Sequence, residues 1–324
     1  MIITRTPLRI SLGGGGTDLP SFYREHGGGF LVAAAISKYV YIAVNRNFDD
    51  DLLLKYSHVE RVADVAKVEH PILRECLALT GINGGIEISS MADIPAGTGL
   101  GSSGAFTVGV LRALFAQQRA SMTNERLAEL ACHVEIERLQ EPVGKQDQYA
   151  AAIGGVTAFA YNADDSVDVQ PVPMPDEARH RLEEDLLLFY TGVRRSASEE
   201  ISAQIEPGGG ASVSDNLAQV RDIGHASFDA LATGDLDAFG ALMTEQWKVK
   251  LARSPSALHD QVDGWISTGL AAGASGGKLV GAGGGGFLLF LAEAKSQLRD
   301  AMDELGLEEV RFAFDDEGTK TIIS

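Results

Sequence analysis

Apolar residues alternate loosely with polar ones over Ile2–Leu12, and the run ends in four glycines, Gly13–Gly16. That pattern predicts a strand followed by a turn. Phe30–Val44, "FLVAAAISKYVYIAV", has the length and composition of one or two buried strands, with Lys38 at a turn. Leu52–Tyr56 and Gly85–Ser89 predict short strands, and Asp64–Thr80 has helical spacing. Ser102–Gln118 predicts a helix through Phe106, Val110, Leu111, Leu114 and Phe115. Asn124–Glu141 predicts a second helix, capped by Thr123 or Asn124. Strand character returns at Gly154–Tyr161 and Asp185–Tyr190. Glu206–Ser214, "EPGGGASVS", is the clearest loop and reads as a mobile lid or as a linker. Helices are expected over Asp215–Ala232 and Asp235–Lys250. The glycine turn Gly281–Gly286 then leads into the strand "FLLFL", a helix and a final strand, Val310–Phe314. No internal repeat is present, and strict βαβ alternation is rare, so the pattern predicts an α+β chain. Its two halves are expected to meet near residues 155–185.

Composition changes the picture in three ways. The chain of 324 residues is long enough for two domains. Its net charge of −18 argues against a nucleic-acid partner, which needs a basic surface to displace counterions. An anionic small molecule stays compatible, because salt screens surface charge beyond about 8 Å. The two cysteines, Cys76 and Cys132, make neither a disulfide framework nor a zinc spacing. No run is long and apolar enough for a signal peptide or a membrane span. A cytoplasmic protein with no membrane partner is expected.

The stretch Pro95–Gly104, "PAGTGLGSSG", holds the richest candidate chemistry. Amides of a glycine turn and a helix N-terminus converge into an anion site, and glycine admits close backbone approach. Ser102 and Ser103 add hydroxyls for a phosphate oxygen or a metal ion. Gly99, Gly101 and Gly104 satisfy GxGxxG, yet no second strand ending in an acid follows about 20 residues on, as a dinucleotide fold requires. The Gly-Lys-Ser/Thr of a P-loop is absent, as are the His-Arg-Asp and Asp-Phe-Gly of protein kinases. A plain helix cap accounts for one or two glycines, not for Gly97, Gly99, Gly101 and Gly104 with two serines.

These residues resemble the ATP-binding motif of the GHMP kinases: Pro95, three residues, then Gly99-Leu100-Gly101-Ser102-Ser103 and Gly104. "TPLRISLGGGGTDLP" near the N-terminus is similar to the family's substrate motif, and "KLVGAGGGGFLLF" to its third motif. The resemblance spans essentially the whole chain. It implies a two-domain α+β fold with residues 1–170 and 171–324 as its parts and the active site in the cleft between. It implies ATP and Mg²⁺ as well.

Phosphoryl transfer needs a carboxylate beside the attacking hydroxyl and oxygen ligands for Mg²⁺. Resemblance to galactokinases implies Asp147 as the catalytic aspartate and Glu135, twelve residues earlier, as a metal ligand with Ser103. Glu137 and Glu141 read as solvated helix charges. Arg9 is implied at the transferring phosphate and at Asp147, where it cannot act as a base. Asp18, after Thr17, is implied as the ligand of sugar hydroxyls.

Where galactokinases carry Gly-Glu-His before Thr-Asp, this chain has Gly14, Gly15 and Gly16, which predicts a more open acceptor slot. "LGGGGTDLP", "GKQDQYAAAIGG", "FYTGVRRSASEE" and "GGKLVGAGGGGFLLF" together resemble the D-glycero-D-manno-heptose 7-phosphate kinases, which phosphorylate the anomeric oxygen. A 7-phosphate needs a second anion site, for which Arg194, Arg195 and Ser196, with Lys278, Lys145 and the loop glycines Gly283 and Gly284, are candidates. Lys248, Lys250 and Arg253 read as a solvated helix face. The alternatives are a kinase of fucose, mannose or an N-acetylhexosamine, and a non-catalytic ligand sensor. A sensor predicts damage at Arg9, Glu135 or Asp147, and all three are intact. The sequence leaves the choice between monomer and homo-oligomer open.

Overall fold

A computed structural model describes residues 1–193, 210–253, 257–281 and 285–324. The strands, in chain order, are β1 Ile2–Gly13, β2 Gly29–Arg46, β3 Leu52–Lys55, β4 Val59–Val62, β5 Ile86–Ala92, β6 Val156–Tyr161, β7 Val167–Pro171, β8 Leu186–Tyr190, β9 Gly276–Val280, β10 Phe287–Leu291, β11 Glu308–Glu309 and β12 Lys320–Ile323. The helices are α1 Pro20–Tyr23, α2 Pro71–Thr80, α3 Ser102–Gln117, α4 Asn124–Cys132 with a π-helical continuation His133–Arg138, α5 Gln146–Ile153, α6 Asp176–Asp185, α7 Gly210–Thr233, α8 Leu236–Arg253, α9 Ala257–Ala271 and α10 Lys295–Glu304.

The larger sheet has eight strands, in the order β12-β1-β2-β5-β3-β4, with β6 on β2 and β7 on β6. This branching follows from the length of β2. Residues 29–34 pair with β6 and residues 40–46 with β5, while β1 runs along the opposite edge. Phe30–Val44 is therefore one strand. Instead of the expected turn at Lys38, the pairing with β1 slips between Pro7 and Leu8, opposite Tyr39 and Ile36. Pro7 has no N–H to offer, and proline inside a sheet is tolerated at such a break.

Helix α3 lies against this sheet. Ala105, Val108, Val110, Leu111 and Leu114 are all buried, so the helix is a core element and not a surface one. The smaller sheet, β11-β8-β10-β9, is covered on both faces. Leu186 and Leu188 of β8, with Phe287, Leu289 and Leu291 of β10, join the main core. Leu187, Phe189, Leu288 and Phe290 pack with Val262, Ile266, Leu298 and Met302 in a second core. That double coverage explains the uninterrupted apolar run "FLLFL".

Several elements differ from expectation. Asp147 lies on α5 and not in a loop. β4, β7, β9, α6 and α9 have no counterpart in the pattern-based reading. Helix α7 begins at Gly210, inside the segment read as the loop Glu206–Ser214; residues 206–209 lie outside the described residues. Val310–Phe314 is not a strand. Phe314 makes an isolated bridge to Ile36, and the last strand is β12, which returns to β1 of the first sheet. Among the described residues, no helix is long and apolar enough to cross a membrane.

Candidate active site

Arg9 stands at the middle of β1 with 3% of its surface exposed. Its Nε donates to Oδ1 of Asp147 at 2.8 Å and its Nη2 to the same oxygen at 2.5 Å, while Nη1 donates to the Gly99 carbonyl at 2.6 Å. The backbone N–H of Arg9 also reaches the Leu100 carbonyl. Asp147 occupies the first turn of α5, where the helix dipole favours an anion. Its other oxygen, Oδ2, accepts no hydrogen bond from the described residues, and the side chain keeps 25% exposure. One oxygen is thus anchored and the other is unpartnered among the described residues of a partly exposed side chain.

The glycines of residues 97–104 make this approach feasible. Gly97, Gly99 and Gly101 all have positive φ, near 77–80°. A Cβ on Gly101 would lie 3.1 Å from Asp147 Cγ, and one on Gly104 would lie 2.7 Å from Asp147 Cβ. Helix α3 starts at Ser102 with no side chain capping it, so its first N–H groups are available to an anion. Leu100 is buried beneath the loop, and Pro95 at its entry is exposed. The third glycine turn backs onto this loop. A Cβ on Gly281 would lie 2.6 Å from the Gly99 carbonyl oxygen, and one on Gly286 would lie 2.0 Å from that of Thr98. Gly283 and Gly284 lie outside the described residues.

Glu135 comes from the π-helical turn after α4 and is 2% exposed. Its carboxylate accepts from the Ser103 hydroxyl and, at 2.6 Å, from Gln148 Nε2. Burial pushes its carboxyl up to about 7 despite these hydrogen bonds, which favour the ionised form. Beside it, Oε1 of Gln148 is buried without a partner. Ser103 is exposed and Glu135 is not, so the pair joins solvent to a buried carboxylate. The donors are all oxygens, as Mg²⁺ prefers, and Mg²⁺ characteristically takes one or two carboxylates and completes its shell with water and phosphate. The residues fit that ion.

On the acceptor side, Thr17 and Asp18 are buried. The Thr17 hydroxyl lies 2.8 Å from the carbonyl oxygens of both Gly14 and Phe30. Asp18 Oδ2 accepts the Gln146 backbone N–H at 3.0 Å, and Oδ1 accepts the Gly16 N–H at 3.1 Å. Burial raises the Asp18 carboxyl above its usual range, and the Asp147 charge adds to this. Asp18 therefore ties the glycine run to the N-terminus of the helix bearing Asp147. Gly14 has a packing reason: φ is +86°, and a Cβ would lie 2.1 Å from the Phe30 carbonyl oxygen. Gly16 has φ +99°, whereas a Cβ on Gly15 would meet nothing closer than 3.7 Å.

Arg194 and Arg195 lie outside the described residues, as does Ser196. Lys278 is no surface cation but is 2% exposed. Lys145 is engaged elsewhere: its Nζ donates to the Asp165 carbonyl at 2.7 Å and sits over the Tyr23 ring. Glu137 pairs with His133 on the surface, in line with its reading as a helix charge. Lys250 and Arg253 are half-buried, unlike the exposed Lys248, so the solvated-face reading fails for both. Lys250 Nζ donates to the Gly281 carbonyl at 2.6 Å. This contact was not legible in the sequence, because α8 carries the lysine 31 residues from the loop it reaches.

A glycine loop, a catalytic-type Asp–Arg pair and a Ser–Glu oxygen site in one cleft define a phosphotransferase of the nucleotide-dependent kind. Residues 57–155 match the GHMP kinases N terminal domain and residues 227–308 the GHMP kinases C terminal domain, together more than half of the chain. The chain belongs to the GHMP kinases, which are ATP-dependent. It is 25% identical to D-glycero-alpha-D-manno-heptose 7-phosphate kinase of Campylobacter jejuni, over 99% of this chain and 98% of that protein. It is 27% identical to the galactokinase of Thermococcus kodakarensis, over 89% of this chain and 88% of that protein. Its fold is similar to that of a D-glycero-D-manno-heptose 1-phosphate kinase from Bacteriodes thetaiotaomicron, with TM-score 0.81 and 23% identity over 100% of this chain and 99% of that one.

Two predictions follow from this geometry. Gly104→Ala forces the α3–α5 contact apart, costing about 1–3 kcal/mol of stability by overpacking. It lowers kcat at least tenfold by displacing Asp147; a variant with wild-type denaturation midpoint and turnover contradicts the packing account. Glu135 binds its proton more tightly folded than unfolded, so the stability it contributes is present below about pH 4.5 and is lost as pH rises to about 7. Glu135→Gln therefore gains stability over wild type between pH 5 and pH 8, by on the order of 3 kcal/mol, in urea denaturation with a chelator present. An unchanged difference between the two pH values contradicts it.

Proposed function

We propose that this protein transfers the γ-phosphate of ATP to the anomeric oxygen of D-glycero-D-manno-heptose 7-phosphate, giving the 1,7-bisphosphate. The observation that carries the chemistry is the divided Asp147 carboxylate, with Oδ1 held by Arg9 and Oδ2 without a partner among the described residues. The choice of sugar is supported by the near full-length likeness to the Campylobacter jejuni heptose 7-phosphate kinase. The division into residues 1–170 and 171–324 is part of the same reading, with β12 crossing back to the first part.

In this reading, residues 95–104 and the N-terminus of α3 cradle the nucleotide phosphates, and the Gly14–Asp18 segment receives the sugar. Asp147 Oδ2 takes the proton of the anomeric hydroxyl as its oxygen bonds to the γ-phosphorus. The bond from that phosphorus to the bridging oxygen breaks, and ADP leaves. The anomeric hydroxyl is more acidic than an ordinary alcohol, so a carboxylate suffices as base. Arg9 keeps Asp147 in place, and its fixed charge stabilises the transferring group. Ser103 and Glu135 would hold Mg²⁺, which when bound neutralises phosphate charge. Asp18 acts on Asp147 through the α5 N-terminus and offers its carboxylate to the sugar hydroxyls. Arg194 and Arg195 stay candidates for the 7-phosphate.

The test is ATP consumption with the heptose 7-phosphate, mannose, fucose, galactose and mevalonate, with phosphorus NMR to locate the product phosphate. The heptose phosphate alone is expected to turn over, at O1. Asp147→Asn is expected to lower kcat by roughly 10²–10⁴-fold. Turnover of free fucose or galactose instead contradicts the heptose assignment, and ATP binding without turnover of any sugar contradicts the kinase.

A further inference from the structure

Lys278 is the one charged residue of β9, and the fold buries it. Its Nζ donates to the Leu12 carbonyl at 2.8 Å and to Gln246 Oε1 at 2.9 Å. Leu12 lies on β1 just before the glycine run, and Gln246 lies on α8. Both partners are neutral, and no carboxylate forms an ion pair with Lys278 among the described residues. The charges that act on it are positive: Lys250 of α8 and Arg9 of β1. With burial, they push Lys278 well below the usual lysine range.

A neutral amine has two N–H donors, and Lys278 uses two. An ammonium has a third. Among the described residues that third proton has no acceptor, and a buried charge without a counter-ion is unfavourable. Val280, two residues along the same strand, backs onto Gly99 of the nucleotide loop, while Leu12 leads into the acceptor loop. Lys278 is thus hydrogen-bonded to the strand that leads into the acceptor loop and shares its own strand with a residue packed on the nucleotide loop.

We propose that Lys278 is a further phosphate-binding charge of the cleft, whose counter-ion is a phosphate group of the bound ligand. This rests on the kinase reading above. The phosphate comes from the nucleotide or from the sugar phosphate, and the two are separated by experiment. A merely structural strut makes the opposite forecast for the ligand-free protein, since its loss destabilises the fold and leaves phosphate affinity unchanged.

The experiment compares the full chain with Lys278→Met and Lys278→Arg. Thermal midpoints are read without ligand. Calorimetric Kd values are read for ADP with Mg²⁺, for adenosine, for D-glycero-D-manno-heptose 7-phosphate and for mannose. Lys278→Met is expected to melt at or above wild type, because methionine fills similar space with no charge to desolvate. It is expected to lose at least tenfold in affinity for ADP or for the heptose phosphate, with adenosine and mannose unchanged and Lys278→Arg within about threefold of wild type. The arm that weakens identifies the phosphate. Wild-type affinity for both phosphorylated ligands overturns the proposal, whatever the midpoint. Should Lys278→Met not fold, Lys278→Gln takes its place in the same calorimetry, with the same tenfold loss expected for ADP or the heptose phosphate. Wild-type affinity of that variant for both ligands overturns the proposal. If the heptose phosphate fails to bind the wild type, the sugar assignment falls, and the ADP arm still decides Lys278.

Discussion

The cleft is organised by the ion pair between Arg9 and Asp147. Arg9 is almost wholly buried, and its three donor nitrogens are all directed: two to one oxygen of Asp147 and one to the Gly99 carbonyl. Removing Asp147 leaves the buried Arg9 charge uncompensated, which is far costlier than losing a surface pair. Three elements are fixed by this contact: the central strand β1, the nucleotide loop and helix α5. The bare Cα atoms of Gly101 and Gly104 are the steric condition for it, because a side chain at either would collide with Asp147. The glycines of the motif therefore serve a protein–protein contact inside the chain as well as a ligand.

Electrostatics then separates the surface from the site. The chain has a net charge of −18, yet Arg9 and Lys250 converge behind the glycine loops, beside Lys278. Short screening lengths keep the acidic exterior from cancelling a cationic interior. Against these cations stand two buried carboxyls, Asp18 and Glu135, both raised by burial. Asp18 is tied to backbone N–H groups of the acceptor loop and of α5, whereas Glu135 is tied to the side chains of Ser103 and Gln148. One shapes the acceptor side, and the other supplies the oxygen site beside the phosphates.

Much of this was legible in the sequence, for stated physical reasons. A glycine demanded by positive φ or by close approach leaves a mark that no other residue can replace, so the runs at 13–16, 97–104 and 281–286 stood out. The apolar run of β10 and the periodicity of α3 were legible because burial selects them directly. Helix α5 was not. It begins with Gln146, Asp147 and Gln148 after "EPVGK", and its start is set by the distant Asp18 carboxylate. Helix α6, "DEARHRLEED", buries only Ala178, Leu182 and Asp185, too faint a stripe to read. The return of β12 to β1 is a contact across nearly the whole chain, outside the reach of any local pattern. The burial of Lys278, a candidate for the second anion site, was not legible for the same reason, since its partners Leu12 and Gln246 are remote in sequence.

In the proposed reaction the free oxygen of Asp147 receives the acceptor's proton. The most direct measurement is a crystal structure with Mg²⁺-ADP and the sugar phosphate bound together. The acceptor oxygen is expected about 3 Å from Asp147 Oδ2, with Arg9 still on Oδ1 and the ADP β-phosphate on the amides of residues 97–104. An acceptor oxygen lodged away from Asp147, or Arg9 engaging both carboxylate oxygens, contradicts it.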